Sequence, residues 1–160
     1  SSQQIRYDAA QLAAEKRFNE TFSQVQEYFT PQEAEVYKKG DQLVIRLKAM
    51  RFAVGKSEIT PDNYDLLAKV QKAIGAFGKP EVVIEGHTDA TGSAQKNEAL
   101  SESRAEAVRQ YLLANYTVQA DRVSAMGFGA THPIASNETA EGRAQNRRID
   151  VIIQAKKPGR

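Results

Sequence analysis

An apolar run, a polar loop, a long helical period and a second apolar run follow one another between residues 81 and 126. This succession restricts the fold more than any other feature of the chain. Glu81 to Glu85, with Val82-Val83-Ile84 at its centre, reads as a strand. Gly86-His87-Thr88-Asp89 turns away from it, and a helix begins at Ser93 or Gln95 and runs to about Asn115. Arg122 to Met126 is the next strand, ended by Gly127-Phe128-Gly129. Two strands joined through a helix imply a right-handed crossover and an α/β layered domain. A similar unit precedes it. Leu43, Ile45 and Leu47 alternate with Val44, Arg46 and Lys48, as a half-buried strand requires. Thr60-Pro61-Asp62 then opens a helix carrying Tyr64, Leu67, Ala68, Val70, Ile74 and Phe77, which ends near Gly78-Lys79-Pro80. His132-Pro133-Ile134 is a loop, and Asn137 to Asn146 is a polar loop with one helical turn. Arg148 to Gln154, with Ile149, Val151 and Ile153 on one face, completes a mixed sheet whose helices cover one side.

Residues 5–29 read as one amphipathic helix, with Phe18, Phe22, Val25 and Phe29 three or four apart and Leu12 further up. Thr30-Pro31 stops it or starts another turn, and Gln32, Glu33 and Ala34 suit a short helix. Gly40-Asp41 is a turn signal. The expected division is an arm over residues 1–37, a main domain over 38–155 and a basic tail over 156–160. The aromatic stripe needs a partner surface, either its own domain or a second copy of the chain in a homodimer.

At 160 residues the chain is long enough for one domain with a real core. No apolar run approaches the roughly 20 residues needed to span a bilayer. No leader-like segment opens it, which suits a cytosolic protein or a mature fragment. Cysteine is absent, so disulfides, thiolate nucleophiles and zinc–thiolate sites are excluded. A formal net charge of +2, without an aromatic-rich basic motif or a phosphate-cradling glycine loop, argues against nucleic acid.

The helical period from Asn97 places Asn97, Leu100, Arg104, Val108 and Tyr111 on one face. Arg104 is out of place in such a stripe, because a charge there is costly unless it is paired and hydrogen-bonded. Asp89, on the loop past the preceding strand, is an available partner. The two form either a plain ion pair pinning helix to loop, or a pair of poles for a zwitterionic ligand.

Five motifs in order carry a resemblance. They are Phe52-x-x-Gly55-x-Ser57-x-Ile59, Glu85-Gly86-His87-Thr88-Asp89-x-x-Gly92, Asn97-x-x-Leu100-Ser101-x-x-Arg104-Ala105, Gly127-Phe128-Gly129-x-x-x-Pro133-Ile134-Ala135 and Asn137-x-Thr139-x-x-Gly142-Arg143-x-x-Asn146-Arg147-Arg148. Over about residues 41 to 154 the chain resembles the OmpA-like peptidoglycan-binding domain of OmpA porins, the peptidoglycan-associated lipoprotein and flagellar stator proteins. The resemblance implies a two-layer βαβαβ-β fold behind an N-terminal helix. It also implies noncovalent binding of the diaminopimelate in peptidoglycan stem peptides, without catalysis or cofactor. Such a module would tether an envelope protein to the wall in the periplasm, with any membrane attachment through an upstream part. Carried over residue by residue, Asp89 takes the ligand ammonium and Arg104 a ligand carboxylate. Asn97, Leu100, Thr91, Arg147 and Phe52 complete the site. Ala53 replaces an acidic or amide residue, and Lys96 an aromatic one, of many family members.

Other chemistries compete for the same residues. His87, Asp89 and His132 could form a three-ligand zinc site for a metal-dependent peptidoglycan hydrolase. Ser101 invites a nucleophile reading, but no base accompanies it in sequence. Arg143, Arg147 and Arg148 read as structural ion pairs plus one ligand contact. A structural interaction domain with a degenerate pocket is the remaining alternative.

Overall fold

The computed structural model describes residues 1–156; of the expected basic tail, residues 157–160 lie outside the described part. Helix α1 spans Ser2–Gln26, strand β1 Ala34–Lys39 and strand β2 Gln42–Leu47. A 3-10 turn at Pro61–Asn63 leads into α2, Tyr64–Ala76. Then come β3 (Glu81–His87), α3 (Ala94–Ala114), β4 (Val123–Gly127), α4 (Ala140–Asn146) and β5 (Arg148–Gln154). The sheet order is β1-β2-β5-β3-β4. β3 and β4 are parallel, while β5 lies antiparallel to both β2 and β3. The crossover from β2 to β3 therefore leaves a gap one strand wide, which the last strand fills.

Side chains of one sheet face form the core. Leu43, Ile45, Leu47, Val82, Ile84, Ile149, Val151 and Ile153 are buried against Leu67, Val70 and Ile74 of α2 and Ala105, Val108 and Leu112 of α3. The expected helix-covered face is thus observed. Where α3 crosses β3 and β4, the approach is too close for any side chain. A Cβ on Gly86 would lie 2.1 Å from the Ser101 carbonyl oxygen, and one on Gly127 would lie 2.3 Å from the Glu102 nitrogen.

The N-terminal region differs from expectation in one element. The residues after Pro31 make a single turn and then a strand, not a short helix. Thr30 and Glu33 close that turn reciprocally: the Thr30 N–H donates to Glu33 Oε1 at 2.8 Å, and the Glu33 N–H donates to Thr30 Oγ1 at 3.3 Å. The Glu33 carbonyl then accepts from the Lys48 and Ala49 N–H groups, which commits the chain to a hairpin. Gly40, at φ +62°, turns that hairpin. β1 pairs with β2 from Ala34↔Leu47 to Lys39↔Gln42, so the sheet begins upstream of residue 38. The C-terminal half of α1 docks on its own domain: Val25 is fully buried, Phe29 enters the core, and Phe18 packs on Phe77 at 5.7 Å. Ile5 and Leu12, in its N-terminal half, stay exposed.

Candidate functional site

The carboxyl end of β3, the start of α3, the end of α4 and the loop after β2 enclose a cleft of about 620 Å³. Phe52, Asp89, Thr91, Asn97, Leu100, Arg104 and Arg147 all line it. Each arrives from a different local cause. Gly86 lets β3 run close under α3 and deliver the Asp89 loop. Ser93 caps α3, accepting from the Lys96 N–H, so the first turns of the helix face that loop. Arg147 precedes β5 and shares a side with Ile149 by strand alternation.

Asp89 is buried, and its partner is Arg147 rather than Arg104. Arg147 Nη1 donates to Asp89 Oδ2 at 2.7 Å, and the Thr91 N–H donates to Oδ1 at 2.8 Å. Burial alone would raise the Asp89 pKa; the Thr91 N–H, Arg147 and the Thr91 hydroxyl outweigh it and hold the carboxyl below its ordinary value. Arg104 has no carboxylate partner among the described residues. Its Nε donates to the Lys56 carbonyl at 2.8 Å and its Nη2 to that of Ala53 at 3.4 Å. Its guanidinium carbon lies 4.9 Å from the centre of the Phe52 ring. Burial, and then the charge of Arg147, pull the Arg104 pKa below its ordinary value. The plain Asp89–Arg104 ion pair is therefore not what holds this arginine; backbone carbonyls and an aromatic face do. Ala53, which departs from the family pattern, contributes only its carbonyl.

Residues 51–147 match the OmpA family. This chain belongs to that family. It is 37% identical over 113 residues to Outer membrane porin F of Pseudomonas aeruginosa, covering 70% of this chain and 32% of that protein. It is 40% identical over 97 residues to the Peptidoglycan-binding protein ArfA of Mycobacterium bovis, covering 61% and 29%. The cell wall anchor of the T6SS from Pseudomonas aeruginosa has the same fold, with a TM-score of 0.72 and 27% identity over 87% of this chain and 97% of that one. The chain spans about a third of the length of these two curated relatives.

Three buried asparagines hold the loops of this OmpA-family domain, and sequence reasoning gave none of them that role. Asn97 donates to the Asp89 carbonyl at 3.3 Å and the Thr91 carbonyl at 3.0 Å, so its amide shapes the acidic loop. Asn63 accepts from the Arg51 N–H at 2.8 Å and donates to the Arg51 carbonyl at 2.9 Å, fixing the chain next to Phe52. Asn146 accepts from the N–H groups of Ile134 and Ala135 and donates to the Ala135 carbonyl and to Asn137 Oδ1. In sequence Asn97 and Asn146 stand out only as motif positions and Asn63 not at all; burial is what reveals that each holds a loop.

The competing chemistries meet specific obstacles. Asp89 is engaged by Arg147 and Thr91, while the rings of His87 and His132 lie 5.8 Å apart beside Phe128. The alternative His87–Asp89–His132 set does not converge among the described residues. His87 Nε2 instead lies 3.4 Å from Glu85 Oε1 and 3.8 Å from Asp150 Oδ2. Those three residues could face one ion, but Arg46 and Arg148 both bond Asp150, and two guanidiniums oppose a cation there. The Ser101 hydroxyl donates to the Glu98 carbonyl and accepts the Gly129 N–H, so it stitches α3 to the loop after β4.

Proposed function

We propose that this domain is a noncatalytic module that binds peptidoglycan through the far end of the diaminopimelate in its stem peptides, and so anchors an envelope protein to the wall. Arg104 carries the reading. It lies in a cleft against the Phe52 ring, has no carboxylate partner among the described residues, and stands beside an Asp89 whose carboxyl is held below its ordinary pKa. The far end of diaminopimelate presents an ammonium and a carboxylate on one carbon. The carboxylate matches the planar donor fork of Arg104. The ammonium matches Asp89, whose two oxygens have lone pairs beyond those taken by Arg147 and Thr91. Leu100 and Phe52 offer apolar surface to the intervening methylenes, and Thr91 sits at the rim.

The names of the relatives support the same reading: one is a peptidoglycan-binding protein, one a cell wall anchor and one an outer membrane porin. The attachment on the membrane side belongs, in this proposal, to chain beyond the domain, within the periplasm. No residue of the cleft is asked to make or break a bond.

The test is calorimetric titration of the full chain with muropeptides of the diaminopimelate and lysine types. Lysine lacks the far carboxylate, and leaving Arg104 without it costs about 2–5 kcal/mol. Equal affinity for the two peptides would overturn the assignment.

A further inference from the structure

The cleft is far more basic than a zwitterionic ligand end requires. Lys48, Arg51, Arg104, Arg143, Arg147 and Arg148 line it, against the single carboxylate of Asp89. Arg147 is answered by Asp89, and Arg148 by Asp150 behind the sheet. Lys48, Arg51, Arg104 and Arg143 have no carboxylate partner among the described residues. Lys48 donates to the Pro31 carbonyl and Arg143 to that of Asn137. The guanidinium of Arg51 makes no hydrogen bond or ion pair among the described residues, although its backbone is clamped by Asn63. Since the whole chain carries only +2, this is a local concentration of charge and not a general one. The far end of diaminopimelate brings one ammonium with its one carboxylate and leaves the excess as it was.

We infer, resting on the peptidoglycan reading, that the cleft selects stem peptides bearing at least one further free carboxylate, held by Arg51 or Arg143. The two arginines flank the Asp89–Arg104 centre from different elements: Arg51 from the loop after β2, and Arg143 from α4, one turn before Arg147. A stem peptide has two such carboxylates beyond diaminopimelate, the α-carboxylate of a γ-linked D-glutamate and the C-terminus of a terminal D-alanine. Amidation removes either charge while changing little of the shape. The cleft would then read the amidation state of the wall.

The experiment is calorimetry of the full chain with four diaminopimelate tetrapeptides: unmodified, amidated at glutamate, amidated at the C-terminus, and amidated at both. The unmodified peptide binds most tightly. Amidation of the carboxylate that docks weakens binding about three- to fivefold, as expected for a partly exposed ion pair, and the loss shrinks as salt is added. Comparing the two singly amidated peptides identifies which carboxylate is read. Arg51→Gln or Arg143→Gln weakens the unmodified peptide by a similar factor and leaves the doubly amidated one unchanged. Equal binding of the unmodified and doubly amidated peptides overturns the inference while leaving the diaminopimelate reading in place. Failure of all four to bind overturns both. Variants that weaken both peptides alike act through the fold, and that result also counts against the inference.

Discussion

Arg147 and Arg148 are adjacent in sequence and lead opposite lives. Arg147 turns to the helix side, where half of its side chain is exposed, and makes one ion pair, to Asp89. Arg148 turns to the other sheet face, where its side chain is 4% exposed and donates to Asp150 Oδ2, the Asn146 carbonyl and the His132 carbonyl. Asp150 is held a second time by Arg46, which also bonds the Tyr37 hydroxyl and approaches Glu35. The cluster behind the sheet is closed, its donors and acceptors turned on one another. The cluster in the cleft is open: among the described residues Arg104 has no carboxylate partner, and Asp89 borders the cleft. A closed network specifies packing, whereas an open one is available to a ligand.

Breaking the closed network should have the largest effect on the fold. Asp150→Ala leaves two guanidiniums facing each other with little water, and a loss of about 3–5 kcal/mol in denaturant unfolding is expected. A change below 1 kcal/mol would erase the distinction between the two clusters. Next is Arg104→Ala. It should bring muropeptide binding below detection while the thermal midpoint moves little, since only two carbonyl bonds and one ring contact are lost. Unfolding of that variant would instead make Arg104 a structural residue. Arg147→Ala should have a smaller effect on both readouts, costing about 1 kcal/mol or less of stability because the Arg147 end of the pair is half exposed and Asp89 keeps the Thr91 N–H, and weakening binding less than Arg104→Ala.

The mildest test is acid. The Asp89 pKa is depressed in the folded state, so its contribution to stability is present at neutral pH. It begins to be lost as pH falls past the unfolded carboxylate value of about 3.9 and is gone below the folded one. Unfolding curves of the native chain and Asp89→Asn, measured from pH 7 to pH 2, should keep a constant gap down to about pH 4 and converge below it. A gap that opened between pH 5 and 7 would contradict the depressed value.

Most elements of the domain were legible in sequence because their signals are local. Ser93 caps its helix as its position suggests, and β5 covers Arg148 to Gln154 as its alternation requires. The seven expected site residues line one cleft because the loops after β2 and β3, the first turns of α3 and the approach to β5 meet at one end of the sheet. What escaped is long-range or ambiguous. β1 hid behind a proline and three good helix formers, and the capping pair that ends the turn resembles one that begins a helix. The partner of Asp89 lies 58 residues away, so the nearer Arg104 drew attention instead. Arg46 and Asp150 stand out of phase with the apolar residues of their strands. That phase puts both on the second face, but their pairing across neighbouring strands emerges only with the β2–β5 register.

The location of β1 also changes what can be trimmed. A chain starting near Lys38 loses most of the edge strand together with Val25 and Phe29, each worth roughly 1.5–3 kcal/mol of burial. It should unfold at clearly lower denaturant concentration, whereas a chain starting at Glu15 keeps every buried residue of the core.

Asn63 and Asn146 give the loops they hold an unusual dynamic standing. The N–H groups of Arg51, Ile134 and Ala135 lie in segments without regular structure, yet each is bonded to an oxygen inside the protein. In deuterated solvent they should keep their protons about as long as neighbouring strand amides, since release requires a buried amide to leave its seat. The mouth of the cleft would then open only with the sheet beneath it, and a ligand would meet loops that are already in place.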